Sequence, residues 1–334
     1  MINVTLIGAG RIGIMHAKNL LDNVNCNLNY VFDINNEFAK KVSELTGAKI
    51  AETPEEAIND SNTDVVFIAS ATDTHTKFII EAAKAGKAIF CEKPIDLSID
   101  KVNECYNAIK SFKVPIQIGF NRRFDPSNKS LKMQKDNGAI GILEMIIITS
   151  RDPAPPPLNY LKVSGGLMRD CSIHDFDLAR FILDDDPIIE ISANASQLVN
   201  DDIKSINDHD TAMIIMKSKN GVLVHINNSR RAVYGYDQRV EVFGSKGMLI
   251  SNNQTPTSVE KYNDTGTALK DPIHNFFIER YHQAYKDQLD DFIDCVINKE
   301  KTKVNFEDGR RALILADAAY ESLSKSATIT VNYE

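Results

Sequence analysis

The first 120 residues alternate short β-branched runs with stretches of helical period. Strands are predicted at Asn3 to Ile7, Leu28 to Phe32, Val65 to Ala69, Ala88 to Cys91 and Ile116 to Gly119, with amphipathic helices such as His16 to Leu21 and Thr76 to Ala85 between them. Strands separated by helices mean βαβ units and a parallel sheet. From about Arg122 the pattern changes. Strands are predicted at Ile142 to Ser150, Ile188 to Gln197, Thr211 to Lys217, Gly221 to Ser229 and Arg239 to Gly244, with turn signals at Asn220-Gly221 and Lys246-Gly247. Strands joined by short turns predict a mostly antiparallel sheet. A proline-rich loop spans Asp152 to Pro157, a helical run begins near His174, and Leu289, Phe292, Ile293 and Val296 keep helical spacing in the last third. The expected fold class is therefore α/β: an N-terminal Rossmann domain at 1–121, then an α+β domain at 122–334 with a large, mostly antiparallel open sheet.

The chemistry starts at the first turn. VTLIGAGRIG places Gly8, Gly10 and Gly13 in G-x-G-x-x-G spacing, directly after a strand and opening a helix. Gly8 allows the tight turn, Gly10 lets the backbone approach a pyrophosphate, and Gly13 lets the helix pack on the strand, so the amides of Arg11 and Ile12 open an anion-binding helix end. The second predicted strand ends in Asp33, 23 residues beyond Gly10. That is where a carboxylate meets the adenosine ribose hydroxyls, and together the two features predict dinucleotide binding. Asp33 would repel a 2′-phosphate, and Ile34, Asn35 and Asn36 bring no Arg to hold one, so the expected cofactor is NAD. The third strand runs into Ser70-Ala71-Thr72-Asp73-Thr74-His75, at the sheet edge where such ligands lie; His75 caps the next helix or touches the cofactor.

Composition narrows the class. The 334 residues leave room for about two domains, and 43% hydrophobic with 25% charged residues is globular. With 38 basic against 46 acidic residues the net charge is −8, which argues against a nucleic-acid partner. No apolar run approaches the roughly 18 residues of a bilayer span, and no export signal precedes the first strand, so no membrane partner is expected. Five scattered cysteines without a CxxC pair suit reduced thiols and a cytoplasmic protein. Seven dispersed histidines offer no metal-ligand spacing, so no metal is expected. Asp184-Asp185-Asp186 and the run near Asp201 read as solvated turns.

The segment FCEKP at Phe90 to Pro94, again at the end of a predicted strand, resembles the glucose-fructose oxidoreductase / inositol dehydrogenase / rhizopine catabolism superfamily of NAD(P)-dependent sugar and polyol dehydrogenases. The resemblance continues through QIGFNRRFDP (117–126), SRDPAPPP (150–157), SGGLMRDCSIHDFDLARFIL (164–183) and NNSRRAVYGYDQRVEVFGSKGML (227–249). The D-x-x-x-H and Y-G-Y-D-Q motifs within these point to its inositol branch. It implies NAD-dependent oxidation of myo-inositol to 2-keto-myo-inositol, a small neutral polyol as partner, and a homo-oligomer, a tetramer, built through the open sheet. Scyllo-inositol or a pyranose is the nearest alternative substrate; a non-catalytic NAD(H) sensor is the alternative from another class.

Such a reaction needs a base beside the cofactor, and His174 qualifies by type, with Asp170 four residues earlier on the same face if the segment is helical. The resemblance makes Lys93, Asp170 and His174 the catalytic residues. Lys93 would stand between cofactor and substrate, stabilising negative charge on the reacting oxygen. Glu92, Lys93 and Arg122 join the cofactor contacts, and Arg122, Asp152, Tyr234 and Tyr236 join the substrate contacts, by the same resemblance.

Overall fold

The computed structural model describes residues 1–184 and 186–334; the Asp185 of the predicted acidic turn lies outside them. Chain contacts gather into two compact units, Met1–Asn121 with Tyr285–Arg311, and Arg122–Ala284 with Ala312–Glu334. The opening segment of the first unit ends at Asn121. The second domain, however, does not run unbroken from 122 to 334, because Tyr285–Arg311 returns to the first unit.

The first unit carries six parallel strands: β1 (Ile2–Ile7), β2 (Cys26–Phe32), β3 (Lys49–Ile50), β4 (Val65–Ile68), β5 (Ala88–Cys91) and β6 (Ile116–Ile118), in the order β3-β2-β1-β4-β5-β6. β4 and β5 are buried at every position, as strands covered on both faces must be. The edge strand β3 has two exposed residues and no hydrophobic pattern, so sequence reasoning passes over it. Strand order reverses between β1 and β4, and the crevice at their carboxyl ends is the ligand position of an open α/β sheet. Phe67 and Phe90 stack at 4.1 Å between ring centroids, and Phe292 meets Phe90 edge-on at 5.6 Å. Leu289 and Ile293 enter the same core, which explains the return of the late segment: its apolar helix face completes a core that residues 1–121 leave open.

The second unit is built on seven strands: β7 (Leu143–Arg151), β8 (Ile188–Ser196), β9 (Thr211–Ser218), β10 (Leu223–Ser229), β11 (Asp237–Gly244), β12 (Gly247–Ser251) and β15 (Ile329–Thr330). An exposed hairpin, β13 (Glu260–Asn263) and β14 (Gly266–Lys270), stands apart as a two-stranded sheet. The seven strands are ordered β12-β11-β7-β10-β9-β8-β15, parallel between β7 and β10 and antiparallel elsewhere. Period-2 alternation sorts the two faces. In β9, Ala212, Ile214, Met216 and Ser218 are buried, while Met213 and Ile215 are 61% and 58% exposed. Leu223, Met145, Phe243, Met248 and Ile250 extend that apolar open face across the neighbouring strands.

Replacing Phe292 by Ala should lower stability by about 3–5 kcal/mol, because a buried ring is lost from the core of a unit that begins at residue 1. Urea unfolding followed by tyrosine fluorescence measures it, and an unchanged midpoint would make the returning segment dispensable.

Candidate active site

In the first unit the glycine turn separates what the protein needs from what lies outside it. Gly8 has φ +96°, and a Cβ there would lie 2.4 Å from the backbone of Ala69 and Ser70. A Cβ on Gly13 would lie 2.1 Å from the Gly8 carbonyl oxygen, so the helix Arg11–Asp22 can rest on the turn only without one. A Cβ on Gly10 would meet nothing within 4 Å. Gly8 and Gly13 therefore serve packing, whereas the clear space over Gly10 faces outward at a helix N-terminus with no side-chain cap, which fits a pyrophosphate.

Asp33, at the end of β2, is fixed from both sides. Its Oδ2 accepts from the Ala9 amide and its Oδ1 from the Asn35 amide, each at 2.7 Å. The carboxylate thus stands beside the glycine turn with its orientation set by backbone. Ile34 is 98% exposed and the Asn35 side chain caps the next helix, so neither neighbour offers a cation to a 2′-phosphate. The site residues present fit NAD.

Ser70 and Thr74 share a hydroxyl–hydroxyl bond at 2.7 Å, and Ala71 opens the 3₁₀ turn Thr72–Thr74. His75 joins two loops. It is buried, with Nδ1 2.8 Å from the Pro94 carbonyl and Nε2 3.1 Å from the Ser70 carbonyl, so both ring nitrogens are spent inside the protein. Burial pulls its pKa down, against the two carbonyls. A neutral imidazole donates to only one carbonyl at a time. His75 therefore ties the Ser70 loop to the Glu92-Lys93-Pro94 loop.

Glu92 Oε1 lies 2.7 Å from Nε2 of buried His16, whose ring packs on Phe67, Phe90 and Tyr285. The other carboxylate oxygen, Oε2, accepts from the Lys93 amide at 3.3 Å. Gly119 leaves room for it, since a Cβ there would come within 2.8 Å of Oε2. Lys93, half-buried, thus follows a residue that is anchored by both oxygens, and its peptide bond to Pro94 is cis.

In the second unit, Asp170 sits in a π-turn, Met168–Ser172, that runs into the helix Ile173–Leu183; such turns are frequent at functional sites. Half-buried His174 is the second residue of that helix. Asp170 Oδ1 accepts from Tyr160 at 2.8 Å, and Oδ2 accepts from both terminal nitrogens of Arg230 at 3.1 and 3.2 Å. Asp152 follows β7, and its Oδ2 accepts from the Cys171 thiol at 3.4 Å. Burial raises the Asp152 carboxyl above the usual range; Arg230 pulls it back down and Asp170 pushes it up.

Arg122 and Tyr236 lie together away from solvent. Arg122 is 5% exposed and donates to Asp175 at 2.5 Å and to Ser150 at 3.2 Å, while Tyr236, 6% exposed, accepts from it at 3.4 Å. A guanidinium withdrawn from water needs a carboxylate, and Asp175 supplies one. Both residues are thereby held in a buried network. The Tyr234 hydroxyl donates to Asp237 at 2.6 Å and accepts from Arg151 at 3.1 Å. Sequence reasoning passes over Tyr160 and Arg230. For Arg230 a signal exists: alternation along β10 buries Val224, Ile226 and Asn228, and Arg230 continues that inward parity. Among the described residues no cluster of three His, Cys, Asp or Glu side chains could hold a metal ion.

Comparison with known proteins places this geometry. Residues 2–120 match the oxidoreductase family with an NAD-binding Rossmann fold, and residues 129–250 match the GFO/IDH/MocA C-terminal domain. The chain is 42% identical over 327 residues to the myo-inositol 2-dehydrogenase of Thermotoga maritima, covering 98% of this chain and 97% of that one. It is 41% identical over 326 residues to the inositol 2-dehydrogenase of Rhizobium meliloti, covering 98% of each. A myo-inositol dehydrogenase structure from Corynebacterium glutamicum superposes with a TM-score of 0.96 at 42% identity, over 99% of both chains. A scyllo-inositol dehydrogenase from Lactobacillus casei, solved with NAD(H) and scyllo-inositol, gives 0.92 at 27% identity over 99% of both chains.

The glycine turn yields a paired prediction. Gly8→Ala should lower the melting temperature, since backbone strain of about 1–2 kcal/mol adds to a clash with Ala69 and Ser70. Gly10→Ala should leave melting unchanged and weaken NADH binding, read as fluorescence enhancement on titration. Equal effects of the two substitutions on melting would refute the division of labour.

Proposed function

Because the chain belongs to the oxidoreductase family that joins an NAD-binding Rossmann fold to a GFO/IDH/MocA C-terminal domain, we propose that it oxidises myo-inositol to 2-keto-myo-inositol with NAD as electron acceptor. The observation that carries the reading is whole-length similarity to inositol 2-dehydrogenases in a chain that keeps Asp33 beside the glycine turn and His174 after the Asp170 turn. The L. casei relative supports scyllo-inositol as the second substrate to test.

In this reading the amides after Gly10 hold the pyrophosphate, Asp33 accepts from the adenosine ribose, and the Ser70–Thr72 loop with Glu92 lines the cofactor. Bound NAD supplies a two-electron acceptor at its nicotinamide carbon. The alcohol carbon gives up a hydride and the hydroxyl a proton, so the products are a ketone, NADH and one proton. His174 accepts that proton. Asp170, an anion four residues earlier, stabilises the imidazolium as it forms. The Lys93 ammonium donates to the reacting oxygen and favours its developing negative charge. Asp152 accepts from a neighbouring hydroxyl. The substrate is neutral, so a protein of net charge −8 needs no long-range steering to collect it.

The same reading makes the enzyme a homo-oligomer, a tetramer, with the apolar face of Met213, Ile215, Leu223 and Phe243 buried against a second copy. It also places the enzyme in the cytoplasm, in keeping with five cysteines scattered along the sequence without a CxxC pair.

NAD incubated with a panel of inositol isomers and hexoses should form NADH fastest with myo-inositol; absorbance from another polyol alone would reassign the substrate. Lys93→Ala and His174→Ala should each slow turnover by roughly 10²–10⁴-fold while NADH binding persists. Light scattering should return a mass near four times 37.2 kDa, and a monomer would refute the sheet-face assembly.

A further inference from the structure

Arg230 has no role in the reaction as set out above, yet its side chain is wholly shielded from solvent and is among the largest so buried. Its amide donates to the Asp210 carbonyl at 2.8 Å, which fixes the backbone where β10 ends. The guanidinium then meets carboxylates from three directions. Asp170, from the π-turn, accepts both terminal nitrogens; Asp208, from the loop before β9, lies 3.9 Å from one of them; Asp152, after β7, feels the same charge and is joined to the turn through the Cys171 thiol. Tyr160 donates to the other oxygen of Asp170. Tyr320 faces the group from the helix Phe306–Lys325, near Asp208 and Arg169, and Arg122 reaches Asp152 from farther away.

One cation thus stands among three carboxylates in a water-poor place. Burial favours protonation of a carboxyl, and an adjacent guanidinium opposes it. Asp208 competes for that guanidinium. Its Oδ1 accepts from the Leu167 amide at 2.9 Å, while its Oδ2 is buried without a hydrogen bond, so Arg230 is its compensation there.

We propose that Arg230 is a positioning residue for the oxidation: it divides its charge among Asp170, Asp152 and Asp208, holds Asp170 as an oriented anion, and so sets the pH below which turnover stops. The effect on turnover rests on the inositol dehydrogenase reading, whereas the effect on the carboxylates does not.

The test compares full-length wild type with Arg230→Gln, Arg230→Lys and Asp208→Asn, by the pH profile of kcat and by infrared titration of the carboxyl stretch. Loss of the buried positive charge favours the protonated form of the groups it faces, so Arg230→Gln should move the acid limb to higher pH by about 1–3 pH units. Arg230→Lys, which keeps the charge, should restore most of the wild-type limb. Asp208→Asn removes a competitor and should move the limb the other way, to lower pH. Should Arg230→Gln fail to fold, the near-isosteric Asp208→Asn, which keeps an acceptor for Leu167, carries the test. Turnover that falls equally at every pH, with acid limb and infrared titration unmoved, would overturn the proposal. If the wild type oxidises no polyol, the inositol reading fails, and the infrared shifts still decide the place of Arg230.

Discussion

A guanidinium taken out of water has to find a carboxylate, and among the described residues the second unit meets this condition four times. Arg122 pairs with Asp175, Arg123 with Asp177, Arg280 with Asp125 and Arg230 with Asp170, every side chain at most 10% exposed. Such pairs add little net stability, because desolvation offsets attraction, but removing one partner costs about 3–5 kcal/mol. Their value here is positional. Asp175 and Asp177 lie on the helix that carries His174, so the pairs to Arg122 and Arg123 fix that helix to the chain just beyond Asn121. Asn228 adds a second hold, donating to Asp175 at 2.8 Å while accepting from Ser172 of the π-turn at 2.6 Å. The turn that presents Asp170 is therefore clamped to the end of β10 by polar contacts that have no alternative partner in water.

The first unit works by the opposite means. Its candidate cofactor site is made of backbone: a turn that excludes side chains at Gly8 and Gly13, a helix end, and one carboxylate held by two amides. A protein with excess negative charge can receive a pyrophosphate this way, because aligned amide dipoles act over the first helical turn whatever the net charge of the molecule. The division explains why charged side chains of the second unit are committed to one another while the first unit needs few.

This contrast also governs what was legible in the sequence. The glycine turn and Asp33 follow from local spacing, since backbone chemistry is written in consecutive residues. Most strands of both sheets follow from hydrophobic period, but two-residue β3 and β15, the edge strand β12 and the exposed hairpin β13–β14 do not. The partner that holds Arg122 is not local: Asp175 lies 53 positions on, and only the fold brings the two together. The carbonyl partner of His75, Pro94, is likewise supplied by the next loop. Tyr160, Asp170 and Arg230 converge from three separate segments, a pairing no local pattern encodes.

The return of Tyr285–Arg311 to the first unit has a consequence for biosynthesis. The ribosome finishes residues 1–121 early, yet Phe292 and its neighbours, which close the core around Phe90, emerge only after the whole β7–β12 region has been made. At roughly 5–20 residues per second that is an interval on the order of ten to thirty seconds. During it the nascent first unit displays an uncovered aromatic surface, so the part of the protein that is synthesised first is among the last to be sealed, and a chaperone able to shield Phe90 has a defined window in which to act.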